Sequence, residues 1–93
     1  LLVQAATLKV TFDYPIASQS TISRFMLQRK VAGGEYMDLK TVARTARTTT
    51  ISIPSIGIEY CYQILAEKVE STGNIRSLPS NEACAELCYT VTK

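Results

Sequence analysis

The residues here that could do chemistry are three cysteines, Cys61, Cys84 and Cys88, in a chain without histidine. A Ser–His or Cys–His nucleophile is therefore excluded. With no Cys-x-x-Cys pair and no histidine, the thiols do not form a zinc ligand set. Glu59 stands near Cys61, and Cys84 lies between Glu82 and Glu86. Negative neighbours raise a thiol pKa, so neither cysteine suits nucleophilic attack. An odd count in a small chain instead suggests one disulfide, one leftover thiol and an oxidising compartment. The competing reading is three buried thiols in a reducing cytosol.

Other chemistries find little support. Glu67/Glu70 and Glu82/Glu86 are carboxylate pairs, but acid–base work needs two carboxyls in different environments across a cleft. Both pairs are expected on solvated surface. Glu67, Glu70 and Asn74 share one expected loop without any calcium-loop spacing. Arg24, Lys30, Lys40, Arg44 and Arg47 are interleaved with Glu35 and Asp38 and have no aromatic ladder, which argues against nucleic acid. Gly33-Gly34 precedes no helix, so it is not a phosphate loop. There is no Asn-x-Ser/Thr sequon and no Arg-Gly-Asp. The expectation is a non-enzyme with no catalytic residue, cofactor or metal.

Ninety-three residues make one domain, 46% hydrophobic and 19% charged, which is the composition of a globular chain. No apolar run approaches the roughly 20 residues that span a bilayer. The opening Leu1-Leu2-Val3-Gln4 has no Met and no basic flank, so a processed product or a piece of something longer is expected, without an intact signal peptide. Net charge is +2, but residues 1–50 hold seven basic and three acidic side chains, and residues 51–93 three basic and five acidic. Solvated faces are the plain reading of that asymmetry.

The elements that would position these residues have a period of two almost throughout. Leu1 to Ala5 is a short first strand. Leu8, Val10 and Phe12 alternate with Lys9, Thr11 and Asp13, and Tyr14-Pro15 ends that run. Phe25 and Leu27 alternate with Arg24, Met26, Gln28 and Lys30, and Gly33-Gly34 supplies a tight turn. Tyr36, Leu39 and Val42 mark a returning strand whose irregular spacing suggests a short or bulged edge. Thr48 to Ile53 is β-branched and stops at Pro54. Tyr60, Tyr62, Ile64 and Ala66 face one way and Cys61, Gln63 and Leu65 the other. Glu67 to Pro79 reads as a polar loop, and Ser80 to Leu87 as the last strand. Seven short strands predict an antiparallel β-sandwich over 1–87, with 88–93 as an extension or the start of a linker. Phe12, Phe25, Leu27, Ile53, Tyr60, Tyr62 and Ile64 are the expected core.

Four segments make the chain resemble a fibronectin type III domain. They are Leu8-Lys9-Val10-Thr11-Phe12; Phe25 to Lys30 through Gly33-Gly34-Glu35-Tyr36; Ile56-Gly57-Ile58-Glu59-Tyr60 through Ala66; and Gly73 through Ser77 and Ser80. Phe12 stands where the family usually has Trp, and Ile56 where it has Pro. A Cys after the corner Tyr and another after Ser80-Asn81-Glu82 is similar to modules of large secreted bacterial proteins. The resemblance implies a seven-stranded immunoglobulin-like sandwich, with Tyr60 as a corner residue whose hydroxyl bonds the preceding turn.

It also implies a structural, spacer or adhesion module of a secreted or cell-surface protein. The alternatives are an accessory domain of an extracellular carbohydrate-active enzyme and a self-associating subunit of a filament. Partners would be neighbouring domains, copies of itself, or a surface protein or glycan, without nucleic acid or membrane insertion. Strand parity puts Cys61 and Cys84 both on the outer face, where a disulfide between them is expected to join the last two strands; Cys88, of the same parity, is the competitor and otherwise a free or intermolecular thiol. Any contact surface is expected on Met26, Gln28, Gln63 and Leu65, or on the loop around Asn74 and Arg76.

Overall fold

The computed structural model describes residues 6–54 and 57–86. The chain is all-β, in two antiparallel sheets. One pairs β1 (Ala6–Thr11) with β4 (Thr48–Ile53). The other runs β3 (Met37–Ala43), β2 (Arg24–Val31), β5 (Glu59–Lys68), with β6 (Ile75–Arg76) and β7 (Ala83–Glu86) both on the far side of β5. A 3-10 helix over Ile16–Thr21, unforeseen from the sequence, follows Pro15. No helix is long and apolar enough to cross a membrane among the described residues.

The alternating residues meet between the sheets. Phe25, Leu27, Val42, Ile51, Ile53, Tyr60, Tyr62, Ile64 and Ala66 form the buried core, with Leu8, Val10, Phe12 and Tyr14 partly buried against it. The Phe12 and Tyr14 rings stand edge-on to Phe25, with centroids 4.8 and 5.1 Å away. The irregular spacing expected around Leu39 is a bulge: Leu27 pairs Lys40 while Gln28 pairs Asp38, leaving Leu39 as the extra residue. The turn before β3 needs positive φ only at Gly33, at +83°, and Gly34 N–H closes it onto the Val31 carbonyl at 2.8 Å.

Seven strands occur among the described residues, but they are not the seven expected. The proposed first strand, Leu1–Ala5, lies outside the described residues. The expected loop from Glu67 to Pro79 is corrected: β5 runs through Lys68, and Ile75–Arg76 pairs it as β6. β6 and β7 are two halves of one edge, interrupted at Leu78-Pro79. Proline has no N–H to give a ladder, and two serines carry the edge past it. Ser77 N–H donates to the Ala66 carbonyl and Ser80 N–H to that of Ile64, each at 2.9 Å. The N–H groups of Ala66 and Ile64 return bonds of 2.9 Å to the Ser77 and Ser80 hydroxyls.

Candidate functional site

Cys61 and Cys84 are directly opposed in the β5–β7 register and form a disulfide, with Cα atoms 4.0 Å apart. Glu59 offers an oxygen within 4.8 Å of both sulfurs, but bonded sulfurs are no longer thiolate ligands. Cys88 lies outside the described residues, as does the rest of the proposed 88–93 extension.

The face of the five-stranded sheet turned away from the core carries Met26, Gln28, Gln63 and Leu65, as strand parity predicts. Register pairs Met26 with Leu65 and Gln28 with Gln63. The apolar pair is not an exposed patch, however: each is only 7% exposed. Polar side chains close over this face from its edges. Gln63 donates to Gln28 at 2.7 Å, and Gln28 to Asp38 at 2.9 Å. Arg76, on edge strand β6, bonds Glu67 on β5 at 2.7 Å and Asp38 on β3 at 3.0 and 2.7 Å. Arg24 bonds the other Glu67 oxygen at 2.5 Å. Glu82, just ahead of β7, meets Lys30 at 3.1 Å and accepts from the Tyr36 hydroxyl. Lys30 Nζ stands 4.9 Å over the Tyr36 ring.

Glu67 corrects the sequence reading of a solvated carboxylate, because its side chain is 0% exposed. Burial pushes its carboxyl up, but hydrogen bonds from Arg76 and Arg24 outweigh burial and hold it below the ordinary value. Arg76 and Gln28 likewise lower Asp38, and the Tyr36 hydroxyl and Lys30 lower Glu82. Partial burial and the Glu82 carboxylate push Tyr36 up to about 12. The signal for Glu67 was in the sequence: it has the outer-face parity of Cys61, Gln63 and Leu65, which places it beside Arg24 once β2 and β5 pair. Arg76 belongs to this network, whereas Asn74 is exposed on the preceding turn.

Two arginines close the ends of the core. Arg47 lies 5.5 Å from the Phe25 ring and 5.7 Å from Tyr14, and bonds the Tyr14 carbonyl at 3.3 Å and Gln19 at 2.8 Å. Arg29 lies 5.2 Å over Tyr60. No bond from the Tyr60 hydroxyl to the preceding turn occurs among the described residues, and Ser55 and Ile56 of that turn are not among them. The buried Tyr62 hydroxyl has no partner among the described residues.

The two sheets leave a cleft along each side. On the β3–β4 side, Lys40 and Arg29 cap the outward carbonyls of Thr50 and Ser52 at 3.2 and 3.4 Å. On the β1–β7 side an open cleft of about 280 Å³ is lined by Val10, Phe12, Leu27, Tyr62, Ile64 and Ala83. No protein-family model matches the chain, and no curated protein matches it in sequence.

Proposed function

We propose that the chain is a non-enzymatic structural or spacer module of a secreted or cell-surface protein, built on the fibronectin type III plan. The observation that carries the reading is the Cys61–Cys84 bond, which ties central strand β5 to edge strand β7. Such bonds persist in oxidising compartments, and this one makes the edge resist peeling. The outer face adds rigidity, because its polar groups are engaged with one another rather than offered to a ligand.

The family plan is supported by the β1–β4 sheet facing β3–β2–β5 with a split last edge, by Gly57 at φ +81° before Tyr60, and by the paired Ser77 and Ser80 bonds. Phe12 and Tyr14, both edge-on to Phe25, fill the place that Trp takes in the resemblance.

Alkylation of the protein taken from its native compartment, without reduction, tests this directly. One modified cysteine, Cys88, or none if Cys88 is bonded to another chain, is the expected result. Three modified cysteines mean a reducing compartment and overturn the secreted-module reading.

A further inference from the structure

The cations of this chain divide between two sides of the sandwich. Arg24, Lys30, Lys68 and Arg76 each meet a carboxylate, and all four stand on β2, β5 or β6. Lys9, Arg29, Lys40, Arg44 and Arg47 meet none among the described residues, and these five gather along β4. Lys9 pairs Thr50 in the β1–β4 register. Lys40 and Arg29 donate to the Thr50 and Ser52 carbonyls at 3.2 and 3.4 Å. Arg44 and Arg47 stand in the turn that leads into Thr48. Arg47 is turned to the Tyr14 and Phe25 rings. The other four make a row roughly 17 Å long, the rise of the strand beside it. Lys40, Arg29 and Arg44 each give one bond to a backbone carbonyl, whereas an ammonium has three donors and a guanidinium five.

The row has no countercharge of its own. Residues 6–11 and 39–54 contain no Asp or Glu. Asp38, just ahead, is held on the outer face by Arg76 and Gln28. All eight acidic residues fall among the described residues, so none of residues 1–5, 55–56 and 87–93 is acidic. Those segments bring no acidic side chain to the row, whatever path they take. Beside the cations the surface is hydroxyl. Thr7, Thr11, Thr48, Thr50 and Ser52 are exposed on the same sheet face as Lys9. No aromatic residue occurs in β1, β3 or β4.

We propose that this side of the sandwich binds an anionic polysaccharide, its charges supplied by sulfate or uronate groups. Charge complementarity selects a polyanion. The hydroxyl rows suit the sugar between the charges, because Thr and Ser both donate and accept. Nucleic acid would lack a surface on which its bases stack. An acidic peptide adding to β4 as a strand would find the Thr50 and Ser52 carbonyls already capped. The binding goes beyond the module reading, and the two fail separately: the cysteine count decides one and the glycan the other.

Chondroitin sulfate, desulfated chondroitin, neutral dextran and poly-glutamate, each immobilised, form the test. The Cys88→Ser chain is used, so that no disulfide-linked pair doubles the contact. The expected result is binding to chondroitin sulfate that weakens steeply with salt, none to dextran, and at least about fivefold weaker binding to poly-glutamate. The desulfated polymer separates the two charges: equal binding assigns uronate, and a loss assigns sulfate. Lys9→Gln, Lys40→Gln and Arg44→Gln should each weaken binding about threefold, and together about thirtyfold, as separate exposed charges do. Lys68→Gln, on the paired side, should leave it unchanged. Thr50→Val, which keeps a β-branched residue, should weaken the glycan alone. Thermal melts show that each variant is folded. No binding to either chondroitin overturns the proposal, as do poly-glutamate bound equally well and a triple variant that folds and binds like the parent.

Discussion

Arg76 and Asp38 are joined by two hydrogen bonds, 3.0 and 2.7 Å, although β5 and β2 lie between their strands. The twist of the sheet shortens that diagonal, and the register sets Met26 and Leu65 between the Arg24–Glu67 and Gln28–Gln63 rows that the diagonal joins. The stem of an arginine covers apolar surface while its head stays polar. This accounts for two apolar residues that face outward yet are buried.

Arg76→Ala should therefore cost more than an ordinary surface ion pair. It leaves Glu67 buried with one cationic partner and Asp38 with Gln28 alone. The expected loss is about 1–3 kcal/mol, between the values for exposed and buried pairs because Arg76 is itself partly exposed. Arg76→Lys should recover less than half, since an ammonium cannot make the forked contact. Urea unfolding of the three chains measures this. A loss near zero would make the diagonal ornamental.

The same groups give the domain an acid and an alkaline limb. Glu67, Asp38 and Glu82 are all held below their ordinary values of 4.5, 3.8 and 4.5. Carboxyls depressed in the folded state stabilise it above their unfolded pKa and lose that contribution as pH falls through the folded one. Tm should be level from about pH 6 to 8 and fall below about pH 4.5. Tyr36 has the opposite sign. Its folded pKa, about 12, lies above the ordinary 10.0, so its contribution is complete below pH 10 and is lost between 10 and 12. Tyr36→Phe should flatten the alkaline limb alone, and Glu67→Gln should lower the plateau while flattening the acid one.

The two phenylalanines of the core should separate by burial. Phe25 is 1% exposed and meets Phe12, Tyr14 and Arg47, so Phe25→Ala should cost about 3–5 kcal/mol. Phe12 is only partly buried beside the open cleft, and Phe12→Ala should cost about half as much. Equal losses in denaturant melts would mean that Phe12 is covered in solution.

What the sequence showed and what it hid divide along one physical line. Period-two runs such as Leu8-Val10-Phe12 and Tyr60-Tyr62-Ile64 state which face of a strand is apolar, and the core followed from them. Parity also put Cys61 and Cys84 on one side, because a hairpin couples near neighbours in the chain. Parity does not say what lies over a face. Glu67 is sealed by Arg24, 43 residues away, and by Arg76, which sits on a two-residue strand too short to show a period. The place of Arg47 was hidden in the same way, because its partners, Tyr14, Gln19 and Phe25, come together only after the sheets close.

Ser77 and Ser80 make the last prediction. Each hydroxyl accepts the N–H of a β5 residue, Ala66 or Ile64, where an edge strand would ordinarily present a carbonyl. β5 is the central strand and both residues are buried, so a lost acceptor leaves a donor that water reaches poorly. Each Ser→Ala change should cost about 1–2 kcal/mol, near the value for an unsatisfied buried group and above that for an exposed serine. The amide of the matching residue should exchange faster, Ala66 in Ser77→Ala and Ile64 in Ser80→Ala, with the Cys61 end of β5 unaffected because the disulfide holds β7 there. The double change should exceed the sum of the singles, since Leu78-Pro79 would then have no anchored residue on either side. Strict additivity would show that the two halves of the edge are held independently.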